Sequence, residues 1–124
     1  MTSVIYSIVN SYATYVVAIG ECGLDYDRLH FCPAEIQKKY FEKQFELAYT
    51  TKLPMFLHMR AAAEDFCEIL EKNKSRFSAG VTHSFTGSAE DRDKLLSFSD
   101  MYIGESVSVT VYQLFSICVV NTIT

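Results

Sequence analysis

Three side chains in this sequence have the chemistry and the placement to hold a divalent ion: Glu21, His58 and His83. Each follows a short apolar run: Val16-Val17-Ala18-Ile19 before Gly20-Glu21, Leu53-Pro54-Met55-Phe56-Leu57 before His58, and Ala79-Gly80-Val81-Thr82 before His83. Such runs read as strands buried on both faces, so each candidate stands at the C-terminal end of a separate predicted strand. In α/β folds that edge is where sites are built. One carboxylate with two imidazoles suits a metal of borderline hardness, and such an ion can activate water for hydrolysis. Singly, each residue has a plainer explanation: a glutamate satisfied by backbone donors or exposed in a turn, a histidine that finds one hydrogen bond. Three equivalent placements favour the joint reading.

Candidates for substrate contact surround them. Arg60, two residues beyond His58, carries a planar fork that binds phosphate or carboxylate bidentately, with a surface pairing to Glu64 as the alternative. Ser84-Phe85-Thr86-Gly87 after His83 forms a small polar turn before a helix start, where backbone N–H groups of Ser84 to Gly87 could hold an anion. His30 lies in a loop beside Phe31, away from any strand end, and is left out of the site.

The elements that must position these residues alternate. The first strand is expected to stop at Gly20-Glu21, with Gly23 permitting a turn that other residues resist. Pro33 suits a first helical turn, and Ile36, Tyr40, Phe41, Phe45, Leu47 and Ala48 recur at helical spacing up to Tyr49. A second strand covers Leu53–His58, and a second helix Ala62–Lys72 has Ala62, Phe66, Ile69 and Leu70 on one stripe. The third strand is Ala79–His83. Ser88 with Asp91 then resembles a capping box opening a helix that buries Leu95, Leu96 and Phe98, and Met101–Gly104 is the fourth strand. Strands and helices in strict alternation argue a parallel sheet of βαβ units, hence an α/β fold. From Ser106 to Thr124 no charged residue occurs, and the Val, Ile, Thr and aromatic content disfavours a helix. That tail is expected to pair as an edge strand or to aggregate.

The 124 residues, 49% hydrophobic and 21% charged, suit one globular domain. A net charge of −4 gives no overall positive field toward nucleic acid or anionic membranes, so phosphate binding has to come from local groups or a metal. Cys22, Cys32, Cys67 and Cys118 form no C-x-x-C pair, and the first fifteen residues carry no Lys or Arg and several polar groups. They read as neither a signal peptide nor a membrane span. A nuclear or cytoplasmic, non-secreted protein with reduced thiols is expected.

Ala18-Ile19-Gly20-Glu21-Cys22-Gly23-Leu24-Asp25-Tyr26, Leu53-Pro54-Met55-Phe56-Leu57-His58-Met59-Arg60 and Val81-Thr82-His83-Ser84-Phe85-Thr86-Gly87 together resemble the middle motifs of TatD-type deoxyribonucleases. The likeness runs from about Val16 through Gly104 and includes the Phe41–Gln44 helix segment. It implies a metal-dependent hydrolase on a (β/α)8 barrel that cuts DNA phosphodiester bonds with two divalent ions, Mg, Mn or Zn. Glu21 matches the family's bridging carboxylate, the catalytic residue. His58 and His83 match ligands completing one metal position, Arg60 matches a residue near the substrate phosphate, and Asp25 and Tyr26 fall where they support the site.

The departures are as informative. The family opens with a His-x-His strand and closes with a metal-binding Asp; this sequence, whose histidines are His30, His58 and His83, has neither motif. A full barrel takes roughly 250 residues, and four strands do not close one. The expectation is therefore a partial TIM-like barrel of about four parallel strands, one incomplete domain over 1–124 with a family-like core at 16–104 and atypical ends. At most one ion is expected to be well held, Glu105 being a poor substitute ligand, and activity is expected to be impaired. The chain reads as an alternative splice product or partial gene model. Two other readings stand beside this one: a related metal hydrolase acting on amide or lactone bonds, and a non-catalytic half-barrel that self-associates through open sheet edges.

Overall fold

A computed structural model of the chain describes residues 16–104, isolated positions 7 and 11, and the backbone of Val119–Val120. Along the chain come β1 (Ala18–Asp25), a 3-10 turn (Tyr26–Arg28), α1 (Ala34–Thr51), β2 (Met55–Arg60), α2 (Ala63–Asn73), β3 (Gly80–Thr82), α3 (Ala89–Leu96), β4 (Met101–Ile103) and β5 (Val119–Val120). All five strands are parallel in one sheet, in the order β4-β3-β2-β1-β5. The expected α/β alternation holds, and one piece of the chargeless tail does pair as an outer strand. The rest of that tail, Glu105 and the first fifteen residues apart from the isolated positions lie outside the described residues.

The helices end where local chemistry ends them. Pro33 precedes α1 with extended backbone, and Lys52 closes it in the left-handed region, its N–H donating to the Ala48 carbonyl at 2.9 Å. Ser88 and Asp91 make the reciprocal capping box at the start of α3. Phe41 and Phe45 of α1 pack with Phe66, Ile69 and Leu70 of α2 against Ile19, Leu24, Met55, Leu57 and Met59 of the sheet. The Phe41 and Phe66 rings stack with centroids 5.1 Å apart. Burying several large side chains at about 1.5–3 kcal/mol each makes this layer the main source of stability.

Several sequence expectations are corrected. β1 does not stop at Gly20-Glu21 but continues to Asp25, and β2 is shifted to Met55–Arg60, so His58 lies inside a strand. Nor is β2 buried on both faces: Met55, Leu57 and Met59 are buried against the helices, while Phe56 and His58 are half-buried and Arg60 is exposed on the other side. Parallel strands bury both faces only when layers cover both, and the described helices pack on one. Ile36 and Leu96 are exposed instead of buried, because each falls at the edge of its helix's inward stripe, and Gln44 takes a buried place on α1.

The decisive local feature is in β1. Its register with β2 runs Ile19 to Met55 and Gly20 to Phe56, then jumps to Cys22 opposite Leu57 and Gly23 opposite His58. Glu21 is therefore an extra residue in the strand, a bulge of the kind that re-aims a side chain beside a site. Gly20 (φ 148°) and Gly23 (φ 150°) flank it in a backbone region that L side chains resist. At each, a Cβ would overlap a carbonyl oxygen of β2, that of Phe56 or that of His58.

Candidate metal centre

Glu21 from the β1 bulge, His58 from the open face of β2 and His83 just after β3 converge. One ligand atom from each lies within 4.8 Å of the others. Atoms bound to one ion at about 2.0–2.2 Å stand at most about 4.4 Å apart, so a small contraction closes the set. Glu21 Oε1 is 2.6 Å from His83 Nε2 and 3.3 Å from His58 Nδ1. Despite that distance, His58 Nδ1 is buried and makes no hydrogen bond of acceptable geometry. Buried nitrogens are rarely left so, and a ring nitrogen facing a carboxylate across 3.3 Å fits a cation's ligand set.

Electrostatics within the cluster agree. The imidazole of His58 first, then that of His83, holds the Glu21 carboxyl down at about 2, against the opposing effect of burial. In return Glu21 first, and Asp25 after the opposing effect of burial, pushes the His58 pKa up. A carboxylate this firmly ionised is ready to meet a cation. Neighbouring Cys22 is not a competing ligand: burial, then the Glu21 charge, pushes its thiol up to about 12.

The other sequence-predicted residues fall in three places. Asp25, at the end of β1, lies behind the cluster with Oδ2 3.2 Å from His58 Nε2. Ser84 Oγ is 3.0 Å from His83 Nδ1, and Ser84 itself is in the left-handed region at φ 48°. Arg60 and Gly87 line a cleft of about 300 Å³ with Asp27, Thr86 and Asp91. There Arg60 Nε donates to Asp27 Oδ2 at 2.7 Å; its salt-bridge partner is this aspartate and not Glu64. The cap at the start of α3 is occupied by its own chain, since the Ser88 N–H donates to Asp91 Oδ2 and the Asp91 N–H to Ser88 Oγ. Tyr26 points elsewhere: its hydroxyl donates to Asp65 of α2, and burial first, then that carboxylate, pushes the phenol up to about 12. His30 meets Phe31 in a tilted ring contact and does not join the cluster.

Two contributors escaped the sequence reading. Asp27 offered one signal, an acid in the turn after a site strand. Gln37 offered none: on α1 it looks like part of the polar face, yet its side chain accepts from the Asp25 N–H at 2.8 Å and donates to the carbonyls of Asp25 at 2.9 Å and Cys32 at 2.8 Å.

Comparison with known proteins matches the family described as TatD related DNase over residues 5–116. The chain belongs to that family. The deoxyribonuclease Tat-D of Schizosaccharomyces pombe is 50% identical over 90 residues, covering 72% of this chain and 28% of that protein. The 3'-5' ssDNA/RNA exonuclease TatD of a Rahnella species is 43% identical over 95 residues, with coverages of 77% and 34%. A crystal structure of a TatD family hydrolase from Entamoeba histolytica superposes with a TM-score of 0.75 at 31% identity, over 83% of this chain and 34% of that one. The TatD fold expected from the motifs is thus borne out, and the chain spans about a third of the length of the relatives it matches.

Proposed function

We propose that this TatD-family chain carries a metal-dependent hydrolase centre for DNA phosphodiester bonds, with Glu21, His58 and His83 as the ligands of one divalent ion, Mg, Mn or Zn. The convergence of three ligand atoms on one rim, one of them a buried nitrogen without a donor, carries the reading. Such an ion supplies Lewis acidity toward water and toward a phosphoryl oxygen. Glu21, ionised far below neutrality, brings negative charge to the centre without a proton to lose. Arg60 is the phosphate-facing group, its guanidinium able to turn from Asp27 to a substrate oxygen pair, with Thr86 and Gly87 lining the approach and Ser84 set against His83. Asp25 supports the centre from behind, whereas Tyr26 ties the turn after β1 to α2 through Asp65.

Among the described residues one three-ligand set is present, which by itself does not make a two-ion clamp on attacking and leaving oxygens, and weak turnover by these residues alone is the expected outcome. The test is calorimetry with Mn2+ beside a Mn2+-dependent assay on single-stranded DNA. Binding that disappears in His58→Ala, together with the loss of any turnover, is expected; tight binding unchanged in that variant sinks the assignment. Residues 16–104 act as one unit in this reading. Its free thiols, Cys22, Cys32 and Cys67 among the described residues, fit a nuclear or cytoplasmic setting. No described helix is long and apolar enough to cross a membrane.

A second reading is self-association through the sheet, favoured by the 61% exposure of Tyr102 on β4 and the 47% exposure of Val17 beside β1. A sharp monomer on sizing at high concentration removes it.

A further inference from the structure

The metal-site reading of Glu21, His58 and His83, on which this inference rests, leaves open which nitrogen of His58 meets the ion. We propose that Asp25, locked in place by Gln37, is a positioning residue that keeps the His58 proton on Nε2 and so reserves Nδ1 as the ligand atom.

Directional hydrogen bonds place the proton. Asp25 Oδ2 lies 3.2 Å from His58 Nε2, and a carboxylate oxygen accepts, so Nε2 is the nitrogen that donates. A neutral imidazole carries one proton, which leaves Nδ1 with its lone pair. That atom is the buried one that faces Glu21 Oε1 at 3.3 Å without hydrogen-bond geometry. Two carboxylates thus flank one ring, and only the Asp25 side is aligned to take its proton. A histidine ligand whose second nitrogen is held by a carboxylate has a fixed tautomer, a fixed ring plane and raised basicity.

Asp25 can do this because it is itself immobilised. Its Oδ1 accepts from the Asp27 N–H at 3.1 Å, and Arg28 Nε stands 3.4 Å from Oδ2. Gln37 takes both backbone groups of Asp25 and so fixes its main chain, while the Asp27 N–H and Arg28 restrain the carboxylate itself. A side chain on α1, outside the sheet, therefore sets the orientation of a ligand on β2 through one intermediate residue.

The tautomer is readable by long-range 1H–15N correlation on the labelled, metal-free chain at alkaline pH, where His58 is neutral. A pyrrole-like Nε2 and a pyridine-like Nδ1 are expected; the reverse pattern overturns the proposal. Asp25→Asn should raise the fraction protonated at Nδ1 and weaken Mn2+ binding, by calorimetry, about 10–100-fold while thermal unfolding of the metal-free chain stays close to the parent. Gln37→Ala should weaken Mn2+ binding to a smaller extent, with the tautomer partly mixed. A folded Asp25→Asn chain with parental affinity overturns the proposal, as does lost stability with an unchanged tautomer, which marks a merely structural aspartate. If the parent chain binds no Mn2+, the metal-site reading fails, whereas the metal-free tautomer still decides this inference.

Discussion

Strand β2 carries two regions on alternate residues, and they solve opposite problems. Met55, Leu57 and Met59 face the helices and are nearly inaccessible, held by shape and area. Phe56, His58 and Arg60 face away, half-buried to exposed, and each has a specific partner: Phe56 stacks on His83, His58 meets Asp25 and Glu21, Arg60 meets Asp27. The first region tolerates many apolar sequences of equal volume, because dispersion and burial are non-directional. The second depends on angles and protonation, so single-atom changes count. A period of two along one strand keeps both sets in place with the same backbone.

Four outcomes sharpen that contrast, from the largest effect downward. Phe66→Ala, behind the strand, should cost about 3–5 kcal/mol in denaturant unfolding; a cost near zero would mean that the apolar layer does not carry the fold. Gly23→Ala, at the seam between the two regions, should cost at least about 1–3 kcal/mol, since the new methyl overlaps the His58 carbonyl and the backbone at φ 150° resists it. It should also weaken Mn2+ binding, because relieving the overlap displaces His58 itself.

The third outcome concerns pH. Glu21 is lowered from 4.5 to about 2, so its contribution to stability is present above 4.5 and disappears as pH falls toward 2. His58 is raised from 6.5, so its contribution is complete below 6.5 and disappears as pH rises through its higher folded value. Midpoints of denaturant unfolding of the metal-free chain should therefore pass through a plateau between about 4.5 and 6.5. If His58 and His83 hold the ion as proposed, saturating Mn2+ should move that plateau to higher pH, because an imidazole binds a metal in neutral form. His58→Ala should flatten the alkaline side. Last, Leu96→Ser on the exposed side of α3 should shift stability by no more than about 0.5 kcal/mol.

Much of the candidate centre was legible because an apolar run followed by Glu21, His58 or His83 is visible without coordinates, although only His83 stands just past a strand end and Glu21 and His58 lie within β1 and β2. The α3 cap was legible for a similar reason, since Ser88 and Asp91 act over one turn. What escaped were effects that leave no periodic trace. A bulge adds one residue to one strand, and nothing in Gly20-Glu21-Cys22-Gly23 distinguishes it from the turn expected there; only pairing with Phe56 and Leu57 does. Burial of Leu96 was misjudged because a short helix offers too few residues to fix its inward direction. Gln37 was invisible because its partners are backbone atoms, which every sequence supplies alike.

A mooring made through main-chain atoms bears on how the rim could change over time or by design. Gln37 grips the main chain at Asp25 and Cys32, and no side chain between them enters the grip. Leu29 and Phe31 in that stretch are exposed, Phe31 by 79%. The two ends are moored by one amide, so the exposed tip of the span, Leu29 to Phe31, works as an exchangeable cassette: its residues can be rewritten to suit a different neighbour while Asp25, Asp27 and Arg28 keep their contacts behind it.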